Sequence, residues 1–184
     1  MMFSLCDGMG CGAEASRESR RIVELLETLL ETGFAPRSAF KLVNTVLLLT
    51  GGEQHPAALD AGCIDLYTGA LEIFKLGAPG AFVIGQEGIQ VLEGRQVPAG
   101  ALEQAEPVLL SRKLWDGDRL IMVTDGVLDA LPGDDKEQVM GQFLDSLEEM
   151  PPQDMAEHVL DFALSFVPGA RDDMTVLAVQ VWKK

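Results

Sequence analysis

The first third of the chain is dominated by helical spacing. Apolar residues recur there at intervals of three and four, which predicts an amphipathic helix. The residues that carry the spacing are Ile22, Leu25, Leu26, Leu29 and Leu30. Gly33 stands where a glycine that ends a helix belongs, and Pro36 is suited to the first turn of a second helix. We therefore expect two consecutive helices before residue 51.

The pattern changes between residues 57 and 92, where short apolar segments alternate with turns. Residues 71–76 alternate apolar and polar side chains, which predicts a half-buried strand. Tyr67-Thr68-Gly69 and the glycines at 85 and 88 mark turns on either side of such segments. The segment as a whole is interpreted as an antiparallel meander.

The last third contains a buried strand at 119–124, helical patterns at 139–147 and 155–166, and a closing strand at 174–182. The order is helices, strands, helices, strand, and it lacks the alternation of parallel βαβ units. We therefore expect an α+β fold, an antiparallel β-sandwich flanked by helices (αββα). No linker or repeat divides the chain, so residues 1–184 are expected to form a single domain.

Composition narrows the classes of function. Hydrophobic residues make up 47% of the chain, as in a globular protein. The formal net charge of −15 would repel phosphate backbones, so nucleic-acid binding is not expected. No apolar run is long enough for a membrane span, and the N-terminus lacks a signal peptide. With only three cysteines, the chain is expected to be cytoplasmic and to hold no zinc.

Three aspartates share one setting, at the junction of a strand and a turn. Asp7 follows residues 3–6, Asp125 follows residues 119–124, and Asp172 precedes the closing strand. Carboxylates that converge at a sheet edge repel one another unless cations neutralise them, and oxygen ligands suit Mg²⁺ or Mn²⁺. Because Asp-Gly is also a common turn dipeptide, any single instance is weak evidence.

The motifs around these aspartates carry a resemblance. Segments 7–10 (Asp-Gly-Met-Gly), 124–127 (Thr-Asp-Gly-Val) and 172–175 (Asp-Asp-Met-Thr) resemble three motifs of the metal-dependent, type 2C-like (PPM) protein phosphatase family. They have the family's order and separations. Segments 76–79 and 97–100 resemble lesser landmarks, so the similarity covers nearly the whole chain. Within the family, the chain is most similar to the bacterial branch of stage II sporulation protein E (SpoIIE).

The resemblance implies a site and a mechanism. Asp7 would bridge two Mn²⁺ or Mg²⁺ ions, the carbonyl of Gly8 would complete one metal site, and Asp125 and Asp172 would hold the second ion. A water activated by both ions would attack the phosphorus of a phosphoserine. Asp173 and Thr175 are candidates for hydrogen bonds that orient the metal ligands. It is equally compatible with the sequence that Asp173 is only a solvated carboxylate and Thr175 only a strand residue.

The resemblance also implies a partner. SpoIIE-like phosphatases act on a phosphorylated anti-sigma factor antagonist, in the regulation of sigma factors during sporulation, so the expected substrate is a protein. The family pattern begins with two further strands that carry a Gly-Asp pair. This chain begins at what matches a later strand, so we expect those N-terminal strands to be absent from it. An uncovered strand edge would then favour a homodimer.

Two other classes of function remain open from the sequence. The first is a phosphatase-like scaffold or regulatory binding module without catalysis, which the absence of the upstream strands favours and the three aspartates disfavour. The second is a metal-dependent nuclease or nucleotidase, which the acidic charge disfavours. A cytoplasmic domain that is the soluble part of a larger, membrane-associated protein is compatible with the SpoIIE resemblance.

Overall fold

The structure is a computed structural model, and it describes residues 1–8, 13–50, 56–94, 97–167 and 172–182. Helices and strands follow the order that the sequence predicts, with one short helix added. The elements are β1 (Met2–Gly8), α1 (Ala13–Glu31), α2 (Pro36–Thr50), β2 (Ala57–Ile64), β3 (Ala70–Leu76), β4 (Ala81–Gly85), β5 (Gly88–Leu92), β6 (Val108–Lys113), β7 (Arg119–Val123), α3 (Asp125–Asp129), α4 (Lys136–Ser146), α5 (Pro152–Leu164) and β8 (Val176–Gln180).

The chain divides into two compact units, each with its own sheet. Unit 1 comprises Met1–Leu66, Ala70–Ala78 and Gly94–Arg112. Unit 2 comprises Tyr67–Gly69, Pro79–Glu93 and Lys113–Lys184. The strand order is β1-β2-β3-β6 in the first sheet and β5-β4-β7-β8 in the second. Every strand pair whose register is described is antiparallel, which confirms the predicted α+β class with antiparallel sheets.

The helices of unit 1 form as their sequence predicts. Leu26 and Phe40 are fully buried in a core that α1 and α2 share with one face of the first sheet. Gly33 adopts a φ of +91°, and its N–H donates to the carbonyl of Leu30 at 3.1 Å. The N–H of Phe34 donates to the carbonyl of Leu29 at 3.0 Å. This pattern ends α1 and allows α2 to begin at Pro36.

A buried asparagine ties α2 to the loop after β5. Asn44 is 1% exposed, and its Oδ1 accepts from the N–H of Gly100 at 2.7 Å. Its Nδ2 donates to the carbonyl of Leu102 at 3.0 Å. At the end of the same loop, Glu106 pairs with Lys41, and that pairing lowers the pKa of the Glu106 carboxyl. The side-chain amide thus adds to the isolated β-bridge between Ala57 and Ala99 in holding this loop.

The second sheet supports a separate core. β7 lies between β4 and β8, with Phe82 opposite Ile121 and Val123 opposite Val176. The helices α3, α4 and α5 contribute apolar side chains such as Met140 to the same cluster. Among the described helices, none is both long enough and apolar enough to cross a membrane.

Three details of the predicted elements are wrong. Residues 57–92 do not form one meander, because β3 pairs with β6 while β4 pairs with β7. Between β3 and β4, Pro79 has no N–H to donate to a ladder, which disfavours strand pairing at that residue. The closing strand is Val176–Gln180 and not 174–182, and α3 was not predicted.

β3 carries a buried charge. Lys75 shares a strand face with the apolar Leu71 and Ile73, and it is fully buried. Its cross-strand neighbour in the β2–β3 register is Asp60, which is buried as well. Each charge is therefore compatible with burial because the other is present.

Candidate metal centre

Asp7 and Gly8 are the last two residues of β1 in unit 1. Asp7 lies opposite Ala58 in the β1–β2 ladder and is half-buried. Its position at the end of a strand is as predicted. The remainder of its motif, residues 9–10, lies outside the described residues.

Gly8 lies against the first helix. Its N–H donates to the Oγ of Ser19 at 2.9 Å. A Cβ at Gly8 would stand 3.0 Å from that Oγ and 3.5 Å from the carbonyl oxygen of Ala15. A side chain at this position would crowd the Ser19 hydroxyl that accepts from the Gly8 N–H.

Cysteine chemistry is not favoured beside Asp7. Burial raises the pKa of the Cys6 thiol to about 12, and the neighbouring Asp7 carboxyl acts in the same direction. The thiol therefore stays protonated at neutral pH and is neither a nucleophile nor a thiolate ligand. Cys11 lies outside the described residues.

Asp125 begins α3 directly after the end of β7 in unit 2. It is exposed, and its Oδ1 accepts from the N–H of Gly126 at 3.0 Å. Asp172 is also exposed, and its Oδ1 accepts from the N–H of Asp173 at 2.9 Å. The two aspartates thus have the same local arrangement, in which the next amide of the chain orients one carboxylate oxygen.

The segments of Asp125 and Asp172 meet at Gly126. A Cβ on Gly126 would lie 2.5 Å from the carbonyl oxygen of Asp173 and 3.3 Å from the Cβ of Asp172. The absence of a side chain lets the first turn of α3 approach the segment that leads into β8. Two exposed carboxylates are thereby held on adjoining main-chain segments. Carboxylates are hard oxygen donors of the kind that Mg²⁺ and Mn²⁺ prefer.

Thr124 connects the same two segments, a role that was not predicted from its place in the 124–127 motif. It is 4% exposed, and its N–H donates to the carbonyl of Thr175 at 3.1 Å. Its Oγ1 accepts from the N–H of Thr175 at 2.9 Å and lies 3.4 Å from the carbonyl of Asp173. A small hydroxyl residue between a buried strand and an Asp-Gly pair is the sequence feature that could have indicated it.

Asp173 and Thr175 take part through their main chains. Both side chains are exposed, while their carbonyl and amide groups bond with Thr124. A role for either side chain in orienting ligands stays a prediction.

The donor set fits a divalent ion only in part. In unit 2, Asp125 and Asp172 provide two carboxylates on adjoining segments. Within the described ranges, no group of three or more His, Cys, Asp or Glu residues has the arrangement of a metal site. The convergence of Asp7 with the other two aspartates therefore stays a prediction.

Comparison with known proteins adds independent evidence. The sequence profile described as "Stage II sporulation protein E (SpoIIE)" matches residues 1–182. The stage II sporulation protein E of Bacillus subtilis (strain 168) is 28% identical over 180 residues, which cover 97% of this chain. The chain spans 22% of the length of that relative.

Solved structures agree with the sequence match. The PP2C phosphatase domain of Bacillus subtilis SpoIIE, solved with a fragment of its regulatory domain, has a TM-score of 0.89 and 28% identity. The alignment covers 98% of this chain and 54% of that one. A Mn-presoaked structure of the phosphatase domain has a TM-score of 0.65 at 23% identity, with 98% and 86% covered, and supports the fold alone.

The matches confirm that the two antiparallel sheets and their helices form the fold of a PP2C phosphatase domain. Since the profile covers nearly every residue, the chain belongs to the stage II sporulation protein E (SpoIIE) family.

Proposed function

We propose that this domain is a metal-dependent protein serine/threonine phosphatase that hydrolyses phosphoserine on a protein substrate. The observation that carries the proposal is the meeting of the Asp125 and Asp172 segments at Gly126, in a chain of the SpoIIE family. Asp125 lies just after β7 and Asp172 shortly before β8, which are paired strands of the second sheet, and this supports the proposal.

The ligands are assigned as follows. Asp7 would bridge two divalent ions with the carbonyl of Gly8 beside it, and Asp125 and Asp172 would hold the second ion. When bound, the two ions supply the Lewis acidity that lowers the pKa of a water molecule and offsets charge on the phosphoryl group. Carboxylate and carbonyl oxygens favour Mn²⁺ or Mg²⁺ over softer ions. Mn²⁺ is the first ion to test, because its preference for oxygen ligands matches the proposed donor set.

The protein residues supply charge and position in this scheme, and none of them attacks phosphorus. The pKa of Cys6, raised to about 12, excludes it as a nucleophile at neutral pH. The exposed Asp125 and Asp172 carboxylates leave room for a phosphorylated segment of a protein to approach. Without bound cations, the same carboxylates would repel a phosphate group, so binding of substrate is expected to depend on metal.

The substrate is proposed to be a phosphorylated protein of the anti-sigma factor antagonist type, in the regulation of sigma factors during sporulation. Family membership supports this, since the B. subtilis relative is a sporulation protein. The chain spans 22% of the length of that relative, so the domain is proposed to act as one part of a longer protein. Its proposed location is the cytoplasm. Homodimer formation remains part of the proposal.

A second candidate is a phosphatase-like binding module without catalysis. The specific observation in its favour is that no group of three His, Cys, Asp or Glu residues in the described part of the chain has a metal-site arrangement. Such a module would bind the phosphorylated protein but would not release phosphate from it.

The deciding experiment measures release of inorganic phosphate from a phosphoserine protein or peptide, with Mn²⁺, with Mg²⁺ and with excess EDTA. Phosphate release that requires a divalent ion supports the phosphatase. Binding of the phosphorylated form without release, at saturating Mn²⁺, would establish the binding module in its place.

A further inference from the structure

Thr124 occupies an unusual position at the end of the β7–β8 ladder. Val123 and Val176 form the last residue pair of the two strands. Beyond that pair, the N–H of Thr124 still reaches the carbonyl of Thr175, at 3.1 Å. The next hydrogen bond is made by the side chain of Thr124, whose Oγ1 accepts from the N–H of Thr175 at 2.9 Å. A side chain thus continues the pairing where the strands have ended.

The same hydroxyl has a second contact. Oγ1 lies 3.4 Å from the carbonyl oxygen of Asp173, to which it can donate a long hydrogen bond. The group therefore accepts from one residue and donates to another, and both lie in the segment that follows Asp172. A hydroxyl is the smallest side-chain group that can do both.

Gly126 confines the segment from another direction. Its α-carbon stands so close to the carbonyl of Asp173 that a Cβ would lie 2.5 Å from that oxygen. The main chain of Asp173 is thus held between the hydroxyl of Thr124 and the glycine at 126. Since Asp125 lies between these two residues in sequence, the contacts set the position of Asp172 relative to Asp125.

We propose that the hydroxyl of Thr124 is a positioning group that holds Asp172 in register with Asp125 for joint binding of a divalent cation. The inference rests on the proposed metal site, and it assigns to Thr124 no contact with metal or substrate. Residues that orient metal ligands commonly change metal affinity by about 10- to 100-fold when they are replaced.

The proposal makes a chemical distinction between two substitutions. Thr124→Val keeps the shape of the side chain but removes both hydrogen bonds, and it leaves the N–H of Thr175 without this acceptor. Thr124→Ser keeps the hydroxyl and loses only a methyl group. If the hydroxyl positions Asp172, valine weakens cation binding and serine does not. If Thr124 only fills space, serine is the more harmful change.

A control separates positioning from general loss of stability. Ile84 is buried in the core of unit 2 and pairs with Arg119, at the start of β7, whereas Asp125 follows the other end of that strand. Ile84→Ala is expected to lower the melting temperature by opening a cavity without altering Mn²⁺ affinity. A loss of affinity in Thr124→Val that Ile84→Ala lacks is therefore not a consequence of lower stability.

The experiment titrates Mn²⁺ into the full chain and its variants, by calorimetry and by the electron paramagnetic resonance signal of free Mn²⁺. Thr124→Val is expected to weaken Mn²⁺ binding by about tenfold or more, while Thr124→Ser stays within about twofold of the original chain. Unchanged affinity in Thr124→Val, or equal losses in the serine and valine variants, would overturn the inference.

The Mn²⁺ titration, combined with the phosphate-release assay, distinguishes this inference from the proposed function. A chain that binds Mn²⁺ with the expected ranking of variants but releases no phosphate supports the role of Thr124 and rejects the phosphatase. An original chain that binds no Mn²⁺ rejects the metal site and the role of Thr124 together. Phosphate release with no difference between Thr124→Val and the original chain rejects the role of Thr124 alone.

Discussion

Asp60 and Lys75 form a buried ion pair across the β2–β3 ladder. They are register partners, they are 2% and 0% exposed, and the Nζ of Lys75 bonds to the Oδ2 of Asp60. Within the described part of the chain, the Oδ1 of Asp60 has no hydrogen-bond partner. Desolvation of two charges is costly, and an incompletely bonded pair offsets that cost only in part.

Removing one partner of the pair should cost more stability than removing both. Lys75→Met leaves the Asp60 carboxyl buried without its cation, and we expect the free energy of unfolding at pH 7.5 to fall by about 3 kcal/mol or more. The double variant Asp60→Leu/Lys75→Met leaves no uncompensated charge and should recover most of this loss. Urea unfolding followed by circular dichroism measures both. A double variant less stable than Lys75→Met would show that the uncompensated Asp60 charge is not what destabilises the single variant.

The pair should also give stability a distinct pH dependence. Burial raises the pKa of Asp60 from 3.8 to about 6, and the nearby Lys75 ammonium only partly opposes the rise. The folded chain therefore binds this proton more tightly than the unfolded chain does. The resulting stabilisation is present in full below about pH 4 and is lost as the pH rises through about 6, by up to about 3 kcal/mol.

The measurement compares unfolding free energies of the original chain and of Asp60→Leu/Lys75→Met between pH 4 and pH 8. Taking the difference between the two removes the contribution of other carboxylates, which commonly act in the opposite direction. The advantage of the original chain should shrink between pH 4 and pH 6 and stay level above pH 7. A difference that grows with pH would mean that the pKa of Asp60 is lowered in the folded chain.

Much of the fold was predictable because it depends on local patterns. The apolar spacing that marks α1, the glycine at 33 and the proline at 36 act over a few residues, and the structure follows them. The assignment of strands to two sheets was not predictable. Alternation indicates which face of a strand is buried but not which strand lies beside it. The five-residue α3 is too short to show a period.

The candidate site, like the fold, was predictable from the sequence only in part. The locations of Asp125 and Asp172 at junctions between a strand and a turn follow from sequence patterns. The role of Thr124 does not, because its hydroxyl bonds to main-chain groups about fifty residues further along. The burial of Lys75 was missed for a related reason, since only the fold brings Asp60 opposite it.

Asp125→Asn should abolish divalent-dependent phosphate release while leaving the fold intact. The change removes a ligand charge and keeps the shape of the side chain, so Mn²⁺ affinity should fall by about tenfold or more. The melting temperature without metal should stay level or rise, because one source of repulsion between carboxylates is gone. Phosphate release and thermal unfolding are the measurements.

The matched control is Asp116→Asn, which makes the same change in another Asp-Gly pair. Asp116 lies in an exposed turn before β7, whereas Asp125 follows that strand. The Asp116 variant should retain Mn²⁺-dependent turnover. Equal turnover in both variants would contradict the role of Asp125.

Asn44→Ala should destabilise unit 1 through the loop that its amide holds. The substitution removes the acceptor of the Gly100 N–H and a donor to the Leu102 carbonyl. Because these groups are sheltered, we expect a loss of about 2–4 kcal/mol in unfolding free energy. The control is Thr45→Ala in the next position of α2, where the hydroxyl is exposed and bonds only to its own helix at Lys41. Alanine favours a helix more than asparagine or threonine does, so helix propensity cannot cause either loss. A loss in Thr45→Ala as large as that in Asn44→Ala would show that the contacts of the Asn44 amide are not what matters.

Gly126→Ala tests whether the close approach of α3 to the Asp172 segment matters. The new Cβ would lie 2.5 Å from a main-chain oxygen, that of Asp173, which cannot rotate away as a flexible side chain would. The segment must therefore shift, and we expect weaker Mn²⁺ binding together with a loss of stability of about 1–3 kcal/mol.

Gly141→Ala in α4 is the matched control, because nothing lies within 4 Å of its Cβ position. In a helix interior, that change should leave Mn²⁺ affinity unaltered and raise stability by up to about 1 kcal/mol. Calorimetric Mn²⁺ titration and urea unfolding of both variants provide the comparison. If Gly126→Ala bound Mn²⁺ as tightly as Gly141→Ala does, the spacing of Asp125 and Asp172 would not limit metal binding, and the central observation behind the proposed site would lose its force.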